Sequence, residues 1–507
     1  MKPGGADSIL THLDLAWSHV GASTGDLDLP DPIAFADMRL AWPQQRLLLA
    51  QKILEGDTKP ADLELIDLPK NELLVRPLAR VSLESRLMYE ASVLAVVEEI
   101  DSRLSDAVFS HRWLHWDKRL YAPTGRWMKM LDEARVFHRK NPKLMLARTD
   151  VSAFYENVDV SLLLQELEKL SPPKWALDSL RIFLQAFNAL NNVWGIPQGF
   201  DVTGILANLY LLPVDLALKQ EGFKHFRYSD DMLIFGEDWL SLRKALLHLT
   251  SILRSRRLVL ASAKTHVIPT GGILDELSDA DKNAINYGIA TGKAEVTDDI
   301  RRFFEGAVGG EFVDKRNFTY SLTKLASMKD NYAVEWTLEN IGTVPHASRE
   351  ALAYLGAFHK AEAKYERLVA DFLLNSKLSQ YPFAQQNVLL YLIKHGVREP
   401  VARESAWQLI KDRNTQSFVR EFAARYLGLR GEPTDSILLK KQFREERDIK
   451  VRRALLVACY EAKNCEPEML DLISKSVPEL RITADYLRTN PTSIPIPIAE
   501  RRPYGRA

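Results

Sequence analysis

The residues that most constrain the fold are Phe226-Arg227-Tyr228-Ser229-Asp230-Asp231-Met232-Leu233-Ile234-Phe235-Gly236. Two runs of β-favouring residues meet at a polar Ser-Asp pair, the pattern of a tight β-hairpin. Along a strand, neighbouring side chains point to opposite faces, but at a turn two consecutive carboxylates crowd one small volume. Such carboxylates repel unless a cation sits between them. Taken alone, these residues read equally as a surface hairpin with an acidic tip, and three other stretches decide between the two readings.

Arg148-Thr149-Asp150-Val151-Ser152-Ala153-Phe154-Tyr155 follows the apolar run Leu144–Ala147 and precedes a helical pattern from Val160 to Leu170, so Asp150 is expected at a strand end. Gly195-Ile196-Pro197-Gln198-Gly199 reads as a tight turn leading through Phe200-Asp201-Val202-Thr203-Gly204 into the apolar helix Ile205–Leu212. Leu258-Val259-Leu260-Ala261-Ser262-Ala263-Lys264-Thr265 reads as a strand closing on one lysine. Each stretch alone is weak, whereas their order along the chain is specific.

This series resembles the palm of the reverse transcriptases over roughly Arg76 to Pro269. Asp150–Tyr155 is similar to the first carboxylate motif, Gly195–Gly199 to the Pro-Gln-Gly motif, Tyr228–Asp231 to the Tyr-x-Asp-Asp box and Leu258–Thr265 to the lysine motif. Two departures stand out: Thr203-Gly204 replaces the usual Ser-Pro, and Ala261 stands where Asn is usual. Upstream, Val75-Arg76-Pro77-Leu78, Ser85-Arg86 and Phe109-Ser110-His111-Arg112 resemble the fingers of bacterial reverse transcriptases, with Ser85 in place of an Asp.

The resemblance implies nucleotidyl transfer. Two divalent cations about 3.5–4 Å apart stabilise the attacking and leaving oxygens of such a displacement. Hard oxygen ligands suit Mg2+, with Mn2+ as the alternative. Asp150 and Asp230 are expected to bridge the ions, with Asp231 an outer ligand and the Val151 carbonyl a further one. Tyr155 is expected under the sugar of a deoxynucleoside triphosphate, where its ring would collide with a 2′-hydroxyl. Gln198 and Tyr228 are expected at the nucleotide, Gly199 gives close backbone approach, and Arg76 suits the triphosphate because a guanidinium forks onto phosphate oxygens. Lys264 would neutralise or protonate the departing pyrophosphate.

Charge adds a local argument, because Lys and Arg balance Asp and Glu at 67 each and net charge announces no partner. Between His111 and Arg148 stand ten Lys or Arg against three acids, which suits either a phosphate-binding groove or a solvated helix face. Two cysteines, Cys459 and Cys465, are too few for a disulfide framework or a Cys-rich zinc site. The first residues lack the apolar stretch of a signal peptide, and no apolar run approaches membrane-spanning length. A soluble, cytoplasmic protein without a membrane partner is expected.

With 507 residues, two or three domains are expected. We read residues 1–70 as a helical extension, 71–270 as α/β fingers and palm, 271–490 as an all-α repeat region and 491–507 as a disordered tail. The repeat reading rests on Ser348–Leu352, Ala384–Leu389, Val419–Ala423 and Val451–Leu455, spaced a little over thirty residues apart, a period that suggests a HEAT-like α-solenoid. An irregular helical bundle is the competing reading.

No ribonuclease H carboxylate set or zinc-type endonuclease cluster follows the palm. A palm running directly into helical repeats resembles the abortive-infection polymerases, a branch of bacterial antiphage reverse transcriptases. That resemblance implies synthesis of single-stranded DNA from dNTPs without a template, primed from a hydroxyl of the protein and so covalently attached, by a homo-oligomer (a trimer or hexamer). Templated copying of a partner noncoding RNA is the alternative, and an inactive helical scaffold a third reading.

Overall fold

The computed structural model describes residues 4–23, 28–278, 285–286, 296–358, 363–374, 381–489, 491 and 494. The expected tail, 491–507, lies almost wholly outside them. Two long helices come first, α1 (Gly4–Ser23) and α2 (Pro32–Glu55). Sequence fixes both ends of α2: Asp31 caps it by accepting from the Ala34 amide at 3.0 Å, Pro32 opens it, and Gly56 closes it in the left-handed conformation.

Strands β1 (Glu64–Pro69) and β2 (Val75–Arg80) form an antiparallel hairpin, so pairing crosses the residue-70 boundary expected above. The apolar-periodic stretch Leu87–Ile100 is two helices, α3 (Leu83–Leu94) and α4 (Val97–Arg103). A small ribbon of β3 (Trp113–Leu114) and β4 (Arg119–Leu120) precedes α5 (Pro123–Lys140), which carries much of the basic run. Next come β5 (Met145–Thr149), α6 (Phe154–Asn157), α7 (Val160–Glu168), α8 (Lys174–Asn188), α9 (Thr203–Gln220), β6 (Lys224–Tyr228), β7 (Asp231–Gly236), α10 (Trp239–Ser255), β8 (His266–Ile268) and α11 (Ile273–Leu277).

Strands β6, β7, β5 and β8 form one antiparallel sheet in that order. Period-2 alternation divides its apolar side chains between two layers. Ala147, Met232 and Ile234 face a core shared with α7, α9 and α10. Leu146, Phe226, Leu233 and Phe235 face the other side, against Met130 and Ala134 of α5 and Ile273 and Leu277 of α11. The sheet is thus held between two helical layers, and the strand ends bearing aspartate emerge at one edge.

From Val296 onward the described residues are helical. Lys315–Met328, Ser348–Gly356, Pro382–His395, Ser417–Arg430 and Ile449–Glu461 pack in succession. Pro382–His395 and Ser417–Arg430 are buried on nearly all sides, whereas Pro400–Lys411 and Pro433–Glu445 bury one stripe each along the outside. All four recurring sequence segments fall in that inner row.

The helical region also packs back onto the β1–β2 hairpin and α2. Arg80 of β2 bonds Glu421 at 2.8 Å and Ser417 at 2.9 Å, Lys450 bonds Glu64 at 2.7 Å, Arg453 pairs with Asp31, and Thr483 donates to Asp37 at 2.6 Å. These buried or half-buried contacts fix one wall of the cleft described next. No helix among the described residues is long and apolar enough to cross a membrane.

Candidate active site

The β6–β7 pairing ends at Tyr228 opposite Asp231, leaving Ser229-Asp230 as a two-residue loop with Ser229 at φ +57. Two anchors hold that loop. The Ser229 amide donates to Ser110 Oγ at 2.7 Å, and the Ser229 carbonyl accepts from Arg227 Nη1 at 2.9 Å. Arg227 is itself wholly buried. It donates to Asp215 through Nε and Nη2 at 2.8 and 2.6 Å and to Asn208 Oδ1 at 2.9 Å. Neither Ser110 nor Arg227 stands out as functional in the sequence, since Ser110 meets the hairpin from far along the chain and Arg227 is set by Asp215 and Asn208 of α9.

Strand β5 runs beside β7 with Thr149 opposite Met232, which brings the next residue, Asp150, alongside Asp231. The three aspartates therefore meet at one sheet edge. The lysine segment completes that edge differently from expectation. Residues 259–261 pair with 150–152 through Ala261 N to Asp150 O at 2.8 Å, Ser152 N to Val259 O at 2.9 Å and a bridge between Val151 and Leu260. The chain then tightens into the 3-10 turn Ser262–Lys264, so Lys264 sits on a turn and not on a strand. From there its Nζ reaches Asp150 Oδ2 at 2.5 Å.

Electrostatics follow from that crowding. Burial pushes the Asp230 carboxyl up to about 6, and Asp150 and Asp231 add to the rise. Asp231 is raised by burial and then by Asp150, with Arg148 and Lys264 opposing. For Lys264 burial works downward, but the hydrogen bond to Asp150 and the three carboxylate charges outweigh it and hold the ammonium above its usual range. The edge carries more negative charge than its one ammonium neutralises.

Arg76, Tyr155, Gln198 and Gly199 line a cleft of about 950 Å3 together with Arg447, Lys450 and Arg452 of the helical region. Gln198 is tied to β2 by its carbonyl, which accepts from the Ala79 amide at 3.0 Å. The turn needs its glycines: a Cβ on Gly195 (φ +84) would lie 2.2 Å from the Tyr155 carbonyl, and one on Gly199 (φ +103) 2.5 Å from Leu78. Burial raises the Tyr155 hydroxyl far above its usual range, and Ser229 is its hydrogen-bonding neighbour. Tyr228 donates to the Pro123 carbonyl at 2.9 Å with its ring edge-on to Trp127. Arg76 is half exposed and pairs with Asp28 at 3.0 Å. Asp201 and His111 also line the cleft.

Residues 69–289 match the family described as reverse transcriptase (RNA-dependent DNA polymerase). The chain carries a reverse transcriptase domain. No curated protein matches the sequence. Among solved structures it is similar to a telomerase from Candida tropicalis truncated from the C-terminal domain (14% identity, TM-score 0.31, covering 42% of this chain and 50% of that one). It is also similar to a Candida albicans telomerase in complex with a TWJ fragment of telomeric RNA (13%, 0.31, 72% and 66%) and to the apo Candida tropicalis telomerase (12%, 0.33, 89% and 74%). The chain thus spans half the length of the first of these and 66% of the second.

Reverse transcriptase domains use divalent metals such as Mg2+. The donor set here fits one: three carboxylates supply hard oxygens, and burial together with mutual repulsion holds two of them above their usual pKa. Among the described residues no three His, Cys, Asp or Glu side chains are already drawn into an ion-holding group. The Lys264 ammonium is the counter-charge that pairs with Asp150 at this edge.

Proposed function

We propose that this chain is a DNA polymerase of reverse-transcriptase type that acts in antiphage abortive infection, joining dNTPs without a template onto a hydroxyl of the protein. The observation that carries the chemistry is the convergence of Asp150, Asp230 and Asp231 at one sheet edge, next to Tyr155 of the cleft lining. Bound there, two divalent ions would supply charge stabilisation at the attacking and leaving oxygens. Asp150 and Asp230 would hold both ions and Asp231 and the Val151 carbonyl one, Lys264 would hold or give a proton at the departing pyrophosphate, and Arg76 would take the triphosphate. Tyr155 would exclude the 2′-hydroxyl, while Gln198, Gly199 and Tyr228 would border the nucleotide.

Untemplated synthesis is supported by the shape of the cleft. Its volume of about 950 Å3 is that of a small-molecule pocket, and the helical region, tied to the β1–β2 hairpin through Arg80–Glu421 and Lys450–Glu64, supplies part of its wall. The division into extension (1–70), fingers and palm (71–270) and repeat region (271–490) is part of this reading. So are the HEAT-like character of the inner helical row, the attached single-stranded DNA product and the homo-oligomer, a trimer or hexamer. A second reading, templated copying of a partner noncoding RNA, is favoured by the family description as RNA-dependent.

Incubating the purified chain with labelled dNTPs and Mg2+, with neither template nor primer, tests the proposal. Label that stays with the protein through denaturation and is lost in Asp230→Asn supports it. Label that appears only after an RNA is added selects the templated reading, and unchanged labelling in Asp230→Asn overturns the carboxylate assignment.

A further inference from the structure

Gly204 lies in the first turn of α9, where the reverse-transcriptase motif usually has proline, and the cause of that departure lies across the cleft wall. A Cβ built on Gly204 would fall 2.2, 2.3 and 2.4 Å from Cγ, Cδ2 and Nδ1 of His111. Any side chain at 204, proline included, would displace the imidazole. Glycine costs a helix about 1 kcal/mol relative to alanine, so the helix gives up stability at the one position where His111 needs room.

His111 is held there at some cost of its own. Its backbone is in the left-handed region at φ +47, uncommon for a residue with a side chain. The preceding residue ties it to the catalytic hairpin, for Ser110 Oγ accepts from the Ser229 amide at 2.7 Å and the Ser110 carbonyl accepts from Asn208 Nδ2 at 2.8 Å. The ring lines the cleft beside Tyr155, Gln198 and Asp201. Nδ1 is buried without a hydrogen-bond partner among the described residues. An N–H buried there without a partner would cost free energy, so Nδ1 is the nitrogen that goes without the proton.

Building on the nucleotide cleft proposed above, we propose that His111 is a specificity-determining residue that donates a hydrogen bond from its ring to a neutral acceptor on the base or sugar of the nucleotide. The tautomer that leaves Nδ1 bare avoids burying an unpaired N–H and puts the proton on Nε2. Burial lowers the ring's affinity for a second proton, and the cation of Arg227 lowers it further, while Asp201 opposes. The imidazole is therefore neutral near pH 7. Asp201 stands close enough to be felt by His111 and would repel a phosphate from this part of the cleft. A neutral donor beside a carboxylate matches the uncharged part of a nucleotide and not its phosphates.

Equilibrium binding of a dNTP and, separately, of inorganic tripolyphosphate, each with Ca2+, tests this. His111→Gly keeps the left-handed backbone and removes the ring; His111→Asn also suits that backbone and restores a polar group. His111→Gly should weaken dNTP binding about 10-fold, the scale of one lost hydrogen bond, leave tripolyphosphate binding unchanged, and be partly rescued by His111→Asn. Gly204→Ala, which should otherwise favour the helix, should reproduce the dNTP defect by pushing the imidazole aside. Melting temperatures near wild type exclude unfolding as the cause. Unchanged dNTP affinity in both His111→Gly and Gly204→Ala, or equal loss for dNTP and tripolyphosphate, overturns the inference while leaving the polymerase reading intact. A wild-type chain that binds tripolyphosphate but no dNTP overturns both.

Discussion

Replacing Arg227 with methionine tests how the hairpin tip is held. Both side chains of the Arg227–Asp215 pair are out of solvent, at 0% and 2% exposure, and two charge-assisted bonds of 2.8 and 2.6 Å join them. Removing the guanidinium leaves Asp215 buried with only His225, at 3.3 Å, beside it. An uncompensated buried charge costs about 3–5 kcal/mol. At about 2–4 °C per kcal/mol for a domain of this size, the melting temperature should fall roughly 6–20 °C. The double variant Arg227→Met/Asp215→Leu removes both charges and should regain most of that loss, because an apolar pair of similar volume replaces a buried ion pair at little net cost. Nucleotide incorporation should behave differently. The Ser229 carbonyl loses its donor in both variants, so incorporation should stay at least about 10-fold down in the double variant although its stability returns. Differential scanning calorimetry with single-turnover incorporation reads both. A single variant melting within about 3 °C of wild type, or a double variant melting no higher than the single, refutes the reasoning.

Two further outcomes follow from the same electrostatics. Lys264→Met removes the ammonium from Asp150 and leaves the three carboxylates mutually exposed, so Mn2+ binding without nucleotide, followed by electron paramagnetic resonance, should tighten several-fold while incorporation falls; unchanged Mn2+ affinity would remove the internal counter-ion role. Asp37, buried between α2 and the helix Arg481–Arg488, has its carboxyl pushed up to about 7 by burial and by Asp31, against Arg453 and the Thr483 hydrogen bond. The folded state therefore holds this proton more tightly than the unfolded one. The stabilisation is complete below the ordinary carboxylate range and is lost as pH rises through about 7, at most about 4 kcal/mol. Asp37→Asn lacks the titration, so wild type should lose stability relative to the variant between about pH 4 and 7.5, and a pH-independent difference in melting temperature would disprove it.

What could be read in the sequence, and what could not, separates by the range of the interaction. Ser229-Asp230 between two β runs and the Gly195–Gly199 turn are decided by residues within a few positions of one another, so their chemistry is visible locally. The lysine segment misled for a local reason too. Leu258 is buried but Val259 is mostly exposed, and between the bond of Ala261 to Asp150 and the pairing of His266 with Arg148 the chain carries extra residues, so Ser262-Ala263-Lys264 loops out as a turn. Pairing of Thr149 with Met232, by contrast, brings together residues more than eighty positions apart, and no pattern within either strand dictates that register. The same holds for Arg227, which reads as an ordinary polar position in a strand until Asp215 and Asn208 of α9 surround it. Gly204 lies between these cases. Its departure from proline is plain in the sequence, but a missing side chain acquires meaning only beside what fills its place, and the imidazole of His111 arrives there from ninety-three residues upstream.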